Sequence, residues 1–328
     1  MIFNNGGKYS SFEKDYASKV KPLLIKLNKK EKQLRDLLVQ AVNKGDASPV
    51  YWNKLRKEID KIYAELSSIF SSWAKEEIPS RYRISLRQIQ HAINKSAVIV
   101  NKPMKDIYKM LNSNASAQTM KLLYTDAVSS FDTALLAGKG NVVRFTRLTQ
   151  QSLLSENIVN QTIADTYIEV GNLRASARAL SGKFWAKMYE DIEGNKFIQA
   201  GRYKYKPSYY AEMVGRVKFH EAHSYASLNQ AKNYRTDLVQ VSSHNTRTPI
   251  CMPYEGKVYS ISGNSKMFPP LFDTPPYHPN CLHLLYPTFE SGMEAQGTLE
   301  AFSDFSKNKI DRPPVPSSFI PLSKREAV

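Results

Sequence analysis

The fold of this chain is decided by residues 49–78, which read PVYWNKLRKEIDKIYAELSSIFSSWAKEEI. Apolar residues recur here at alternating steps of three and four, at Trp52, Leu55, Ile59, Ile62, Leu66, Ile69 and Trp73. This spacing is that of the a and d positions of a heptad repeat, so it predicts a long helix with one apolar seam. Pro79 follows the stretch, and we expect it to end the helix because proline lacks a backbone N–H.

A similar seam precedes this helix, with one interruption at Lys30. Its apolar positions are Val20, Leu23, Leu27, Leu34, Leu37 and Ala41. Turn residues separate the two seams: Gly45 suits the end of a helix, Ser48 an N-cap and Pro49 the first turn of the next helix. Because a short loop usually joins helices that pack on each other, we predict an antiparallel helical hairpin over residues 1–78.

The predicted secondary structure of the rest of the chain changes twice, after residues 192 and 290. Residues 79–192 stay helical in pattern, with an apolar stripe over 173–192 and breaks predicted near 101–103, 112–116 and 138–141. A small α+β module is predicted over 193–290. It begins with a hairpin at 196–205 and a helix from Pro207 to about Ala231, and continues with strands at 237–243 and 257–261 and an irregular segment at 262–281.

The Pro-rich residues 291–328 are predicted to be a mobile tail. Taken over the whole chain, the predicted fold class is mainly α.

The amino-acid composition limits the classes of protein and partner that fit this chain. The 328 residues include 46 Lys and Arg against 30 Asp and Glu, a formal net charge of +16, which favours nucleic acid as a partner over a membrane surface. Hydrophobic residues make up 42%, too many for a disordered chain, and no aliphatic run is long enough to insert into a membrane. The two cysteines argue against a disulfide-built secreted domain, and the first residues lack the apolar core of a signal peptide, so we expect a protein made in a reducing cytosol.

Both cysteines and three of the six histidines fall between residues 242 and 287. Cys251, His278, Cys281 and His283 offer four soft or borderline ligands, which would suit a tetrahedral structural zinc ion. Such an ion would hold the shape of a loop that has few apolar residues of its own. Two alternatives stay open: buried apolar cysteines with hydrogen-bonded histidines, or a Cys251–Cys281 disulfide.

Two further patterns bear on function. His220-Glu221-Ala222-His223 falls on the helix predicted after Pro207, but it is one residue short of the H-E-x-x-H spacing of zinc proteases. Tyr203, Tyr205, Tyr209 and Tyr210 would permit base stacking beside the many cations, although core packing is the simpler interpretation. No P-loop, dinucleotide-binding or nucleophile-elbow motif occurs.

Residues 207–287 resemble the minor head proteins of tailed phages, namely the phage Mu F-like head-morphogenesis family and the related phage minor capsid proteins. The resemblance lies in three pieces: 211–216 (AEMVGR), 242–244 (SSH) with 256–260 (GKVYS), and the ending 275–283 (PPYHPNCLH). Many members carry Cys-x-x-Cys where this chain has Cys251-Met252-Pro253-Tyr254. The motif positions carried over are Arg216, His244, Gly256, Pro276 and Pro279, and Arg216 is expected to organise the module through hydrogen bonds.

The resemblance implies a structural, non-enzymatic protein of the capsid interior that is present in the host cytoplasm during assembly. Its implied partners are the portal protein, double-stranded DNA without sequence preference, and the scaffold or major capsid protein. It would act in head morphogenesis and support genome packaging or delivery. The alternative is a metal-dependent hydrolase or nuclease that uses the Cys/His cluster together with His220, Glu221 and His223.

Overall fold

A computed structural model describes residues 11–95, 113–165, 190–192 and 194–289. The helices are α1 (Ser11–Lys44), α2 (Pro49–Lys95), α3 (Asn114–Asp165) and α4 (Pro207–Asn233). The strands are β1 (Ile198–Ala200), β2 (Tyr203–Tyr205), β3 (Leu238–Val241), β4 (Val258–Ser260) and β5 (Leu285–Thr288). The mainly helical class and the small sheet-containing module near the C-terminal end are therefore confirmed.

The helical hairpin of α1 and α2 forms as the turn residues predict. Gly45 has a φ of 62°, which glycine adopts without steric cost, and the Ser48 hydroxyl accepts a hydrogen bond from the Tyr51 amide at 3.3 Å. The two helices run antiparallel, since ion pairs join α1 to α2 in reversed order. These pairs are Asp15–Arg81 at 3.1 Å, Lys19–Glu77 at 3.4 Å and Lys30–Glu65.

The seams differ from the prediction at two positions. Leu38 and Phe70 are fully buried, whereas the predicted Leu37 and Ile69 lie half-buried beside them. A straight helix has 3.6 residues per turn, so a strict seven-residue repeat drifts around its surface by about 20° per heptad. At these two positions the next residue along the helix takes the buried place, while the predicted positions that follow, Ala41 and Trp73, are buried.

Two predicted helix breaks are wrong. Pro79 lies inside α2, and its missing hydrogen bond, about 3 kcal/mol, is offset because Ile78, Tyr82 and Leu86 around it are all fully buried. Likewise α3 continues through 138–141. A Cβ on Gly138 would lie 1.9 Å from the carbonyl oxygen of Phe197, so this glycine permits a close backbone approach within the helix.

Other boundaries agree with the sequence. α3 begins at Asn114, and the Ser113 hydroxyl accepts a hydrogen bond from the Ser116 amide at 3.2 Å, at the break predicted near 112–116. The hairpin of β1 and β2, α4, and strands β3 and β4 are confirmed. The predicted break at 101–103, the stripe over 173–188 and the tail at 291–328 lie outside the described residues.

The described residues fall into two compact units, to which each long helix contributes. Unit 1 contains residues 11–19, 74–95, 113–127 and 213–289. Unit 2 contains 20–73, 128–165 and the described part of 190–212. Within the described part of the chain, no helix is both long and apolar enough to cross a bilayer.

The sheet of unit 1 positions the Cys/His loop. β3 is central and pairs antiparallel with β4 on one side and with β5 on the other. β5 has no counterpart in the predicted elements, because Pro287 breaks the pattern of a short strand. Segment 262–281 is irregular, as predicted, apart from a single bridge between Ser260 and Pro270.

Candidate metal centre

The two cysteines meet in the core of unit 1, although 30 residues separate them. Cys251 lies in the turns between β3 and β4, and Cys281 lies in the loop that leads into β5. Both are buried in one apolar cluster with residues of the sheet, of α4 and of the loops, namely Ala231, Val239, Val241, Tyr259, Tyr277 and Leu285. Because β3 pairs with both neighbouring strands, the two loops that carry the cysteines emerge side by side.

Three of the four predicted zinc ligands come together. The sulfur atoms of Cys251 and Cys281 lie 3.9 Å apart, and ligand atoms of these two residues and of His278 all lie within 4.8 Å of one another. A turn closed by the Cys281 amide and the His278 carbonyl, at 3.0 Å, brings these two residues to the same place. Both thiols are free, so the structure does not contain the alternative disulfide.

The fourth predicted ligand, His283, contacts this group. Its Nδ1 lies 3.5 Å from the Cys281 sulfur. Its Nε2 is buried, has no hydrogen-bond partner among the described residues, and lies 3.6 Å from Oε1 of Glu255. A buried polar atom without a hydrogen-bond partner costs free energy, and this one faces the Glu255 carboxylate, whereas Nδ1 is the nitrogen beside the Cys281 sulfur.

The pKa values of the two thiols are pushed in opposite directions. A hydrogen bond from the Cys251 thiol lowers the pKa of Cys281, and His283 and the Tyr277 backbone amide add to this effect. The same hydrogen bond and burial raise the pKa of Cys251. One thiolate is therefore stabilised within the pair, and thiolate is the form that binds a metal ion.

Glu255 is a further member of the site, and no sequence pattern marks it. Burial alone would raise its pKa, but the backbone amides of His244 and Thr246 donate hydrogen bonds to the carboxylate, and His283 lies beside it, so the pKa is lowered. The negative charge is thus kept next to His283 and ties the 244–246 loop in place. A single glutamate four residues after a cysteine is too common a pattern to be recognised from sequence.

His244 and Gly256 flank this site. Nε2 of His244 lies 2.7 Å from the Ser242 hydroxyl, and its ring packs edge-on against His283 at 5.1 Å. Burial and the neighbouring His283 lower the pKa of His244. Gly256 has a φ of 72°, in the left-handed region that favours glycine, and its carbonyl accepts a hydrogen bond from Gln240 at 3.0 Å.

The remaining motif residues shape the loop or lie apart from it. Pro276 follows Pro275 through a cis peptide bond, and the Pro275 carbonyl accepts a hydrogen bond from Ser224 of α4 at 2.7 Å. Pro279 lies in the turn between His278 and Cys281. Arg216 is not at the metal centre: it lies on α4, with its guanidinium 5.4 Å from the ring of Tyr16. Its organising role stays a prediction.

The His220, Glu221 and His223 pattern does not form a metal cluster within the described residues. Nδ1 of His220 lies 3.4 Å from the His283 carbonyl, and Nδ1 of His223 lies 3.2 Å from the Ser85 hydroxyl. Glu221 instead accepts a hydrogen bond from the buried Lys218 at 2.7 Å. These residues connect α4 to its neighbours in unit 1.

The fold and the site together define a mainly helical protein with a small α+β module and a buried Cys/His centre. Residues 52–309 match the family of phage minor capsid protein 2, so the chain belongs to this family and is a structural protein of a phage head, located in the virion. No curated protein and no solved structure matches the chain.

Proposed function

We propose that this minor capsid protein works in head morphogenesis from the capsid interior, where it contacts the portal and the packaged double-stranded DNA and supports genome packaging or delivery. Family membership supports a location in the phage head, and the net charge of +16 supports a contact with DNA. A strongly basic protein inside a shell filled with DNA neutralises phosphates and releases their counterions, an attraction without sequence preference. The role proposed is structural, not enzymatic.

One face of α1 carries the observation that favours DNA most. Lys21, Lys26, Lys29 and Lys32 are all exposed, and none has an ion-pair partner among the described residues. The only acidic residue between positions 20 and 32 is Glu31, which is buried and bonded to the Ser208 amide. We call these four lysines the α1 stripe. It presents positive charge over about three helical turns, which suits a run of phosphates.

DNA affinity measured against salt tests this surface, with two unrelated duplexes. We expect affinity that ignores sequence and falls steeply with salt, and replacing the α1 stripe with glutamine should lower the salt slope by about 0.9 for each phosphate that is no longer neutralised. The matched control replaces Lys54, Lys57, Lys61 and Lys75, which are also exposed but alternate with acidic residues on α2. No duplex binding at low salt would overturn the DNA contact.

The portal contact needs a separate experiment. Heads should be isolated before and after packaging from cells infected with the phage, and the protein should be quantified in them relative to portal protein. Purified portal should then capture this protein in solution with a fixed stoichiometry. Heads that contain the protein but a portal that never captures it would remove the portal from the proposal and leave the capsid location intact.

We further propose that Cys251, His278, Cys281 and His283 hold a structural zinc ion. Thiolates and imidazoles are the ligands that zinc prefers, ligand atoms of Cys251, His278 and Cys281 lie within 4.8 Å of one another, and Nδ1 of His283 lies 3.5 Å from the Cys281 sulfur. Four protein ligands would close the coordination sphere, and the ion would supply cross-linking of the two loops. Protein side chains also help to hold these loops in place, since the Glu255 carboxylate accepts hydrogen bonds from the 244–246 loop.

Metal analysis of protein purified without chelator tests the zinc ion. We expect about one zinc per chain, a lower thermal midpoint after chelation, and loss of metal in Cys281→Ser and His278→Ala. His91→Ala is the control, because His91 is exposed on α2. Protein without stoichiometric metal would overturn the site. DNA cleavage that requires a divalent ion and is lost in His278→Ala would replace the structural role with a nuclease.

A further inference from the structure

The β1–β2 hairpin and the start of α4 carry four tyrosines that do not all pack in the core. Tyr203 and Tyr209 are 59% and 54% exposed, so the core packing expected from sequence is wrong for both. Their rings flank Tyr205, whose centroid lies 6.4 Å from that of Tyr203 and 6.0 Å from that of Tyr209, and Tyr210 lies 5.8 Å from it on the inner side. We call these four residues the tyrosine cluster.

Basic residues alternate with the tyrosines. The run from Arg202 to Lys206 reads RYKYK, and its three cations are all exposed. Alternation along a strand sends Tyr203 and Tyr205 to one face of β2 and Lys204 to the other. Lys204 pairs with Asp191, but no described carboxylate lies within ion-pair distance of Arg202 or Lys206. Two cations thus border the exposed rings: the Arg202 guanidinium lies 5.7 Å from the centroid of Tyr203, and Lys206 also interacts electrostatically with the buried Glu31 carboxylate.

The hairpin that presents these rings is held firmly from beneath. Phe197 and Ile198 are fully buried, and the Phe197 carbonyl accepts a hydrogen bond from the buried Tyr63 hydroxyl at 3.0 Å. Gly138 lets α3 approach this same backbone closely. The hairpin backbone that carries Tyr203 and Tyr205 is therefore held in place before any partner arrives, which reduces the entropic cost of binding.

The chemistry of this surface selects its partner. Large exposed aromatic faces favour a partner that offers flat rings, and the flanking cations favour one that carries negative charge. Unpaired nucleotides offer both, a base face and a phosphate in each unit. The bases of a duplex are already stacked on both faces and present only their edges and phosphates, so duplex DNA gains little from tyrosine rings.

We propose that the tyrosine cluster binds single-stranded nucleic acid by stacking of unpaired bases, with Arg202 and Lys206 on the phosphates. The proposal goes beyond the duplex contact of the α1 stripe and uses different residues. It provides the protein with a site for a frayed or unwound DNA end.

Fluorescence anisotropy of labelled twelve-nucleotide oligonucleotides, dT12 and dA12, tests the proposal with the full chain. We expect single-strand binding that weakens about tenfold or more when Tyr203 and Tyr209 are both changed to alanine, and that is retained when both become phenylalanine. Duplex affinity should stay unchanged in the same variants. Tyr124→Ala, on α3, is the control for removal of a tyrosine elsewhere.

The outcomes separate this inference from the proposed function. Single-strand binding that survives the alanine pair, or none at low salt, overturns the tyrosine cluster even if duplex binding by the α1 stripe holds. Conversely, duplex binding can fail while the tyrosine cluster still binds. If the alanine pair does not fold by circular dichroism, the single variant Tyr209→Ala and the pair Arg202→Gln with Lys206→Gln serve instead. The latter pair should lower the salt slope of single-strand binding.

Discussion

The two compact units are stabilised in different ways. Unit 2 is built on the apolar seams of long helices, with Leu34, Leu38 and Phe70 fully buried and Phe70 stacked on Phe131 at 4.2 Å. Unit 1 buries many polar groups, among them Arg81, Lys218, His220 and His223. Periodic apolar packing needs only a repeated spacing, whereas each buried polar group needs a particular partner. The spacing along the chain therefore predicts the apolar seams of unit 2, whereas the partners of the buried polar groups in unit 1 become visible only in the fold.

The largest effect is expected from the apolar core of unit 2. Phe70→Ala should lower the free energy of unfolding by about 3–5 kcal/mol, because it leaves a cavity against Phe131. Urea denaturation measures the loss. The matched control is Ile69→Ala, next in the chain but only half-buried, which should cost clearly less. An equal loss for both variants would contradict the buried face that the structure assigns to α2.

A pair of glycines in one helix tests the close approach in unit 2. Gly138→Ala should destabilise the protein by about 1–3 kcal/mol, because the new Cβ would overlap the Phe197 carbonyl and force a backbone shift. Gly140→Ala meets nothing within 4 Å and should be neutral or stabilising by up to about 1 kcal/mol, since alanine favours helix. Thermal midpoints of the two variants that shift in the same direction would contradict this packing.

Acid sensitivity should belong to unit 1, because all six histidines lie there. Burial, followed by the charges of Arg81 and His220, holds the pKa of His223 well below its usual value. At low pH the unfolded chain binds a proton at His223 that the native state does not bind. The stability contributed by the neutral His223 is therefore present above about pH 6.5 and is lost as the pH falls below this value.

The urea midpoint measured at pH 7.5 and at pH 5.5 checks this dependence. We expect the midpoint to fall at the lower pH, and the fall to shrink in His223→Gln, which has no titrating group. His91→Gln should leave the fall unchanged, because His91 is exposed on α2. A fall of the same size in wild type and His223→Gln would show that other groups control the acid response.

Much of the fold could be predicted because its signals are local. The hairpin turn follows from Gly45, Ser48 and Pro49, each of which suits one backbone position. The errors at Pro79 and 138–141 arose where tertiary packing overrides local preference, since neither the burial of the residues around Pro79 nor the Phe197 backbone opposite Gly138 can be inferred from the local sequence. The seam prediction is off by one residue only at Leu37 and Ile69, as the drift of a straight helix against a seven-residue repeat allows.

In the candidate metal centre, too, some features could be predicted from the sequence and others depend on the fold. Its ligand types and the pairing of the two cysteines could be inferred from their clustering in the sequence, whereas the contribution of Glu255 could not. Most seam positions, the turns, the positive charge and the residue types of the Cys/His loop follow from spacing and composition along the chain. Contacts between residues far apart in the chain fix which helix faces are buried, which imidazole nitrogen lacks a hydrogen bond and which tyrosines face water.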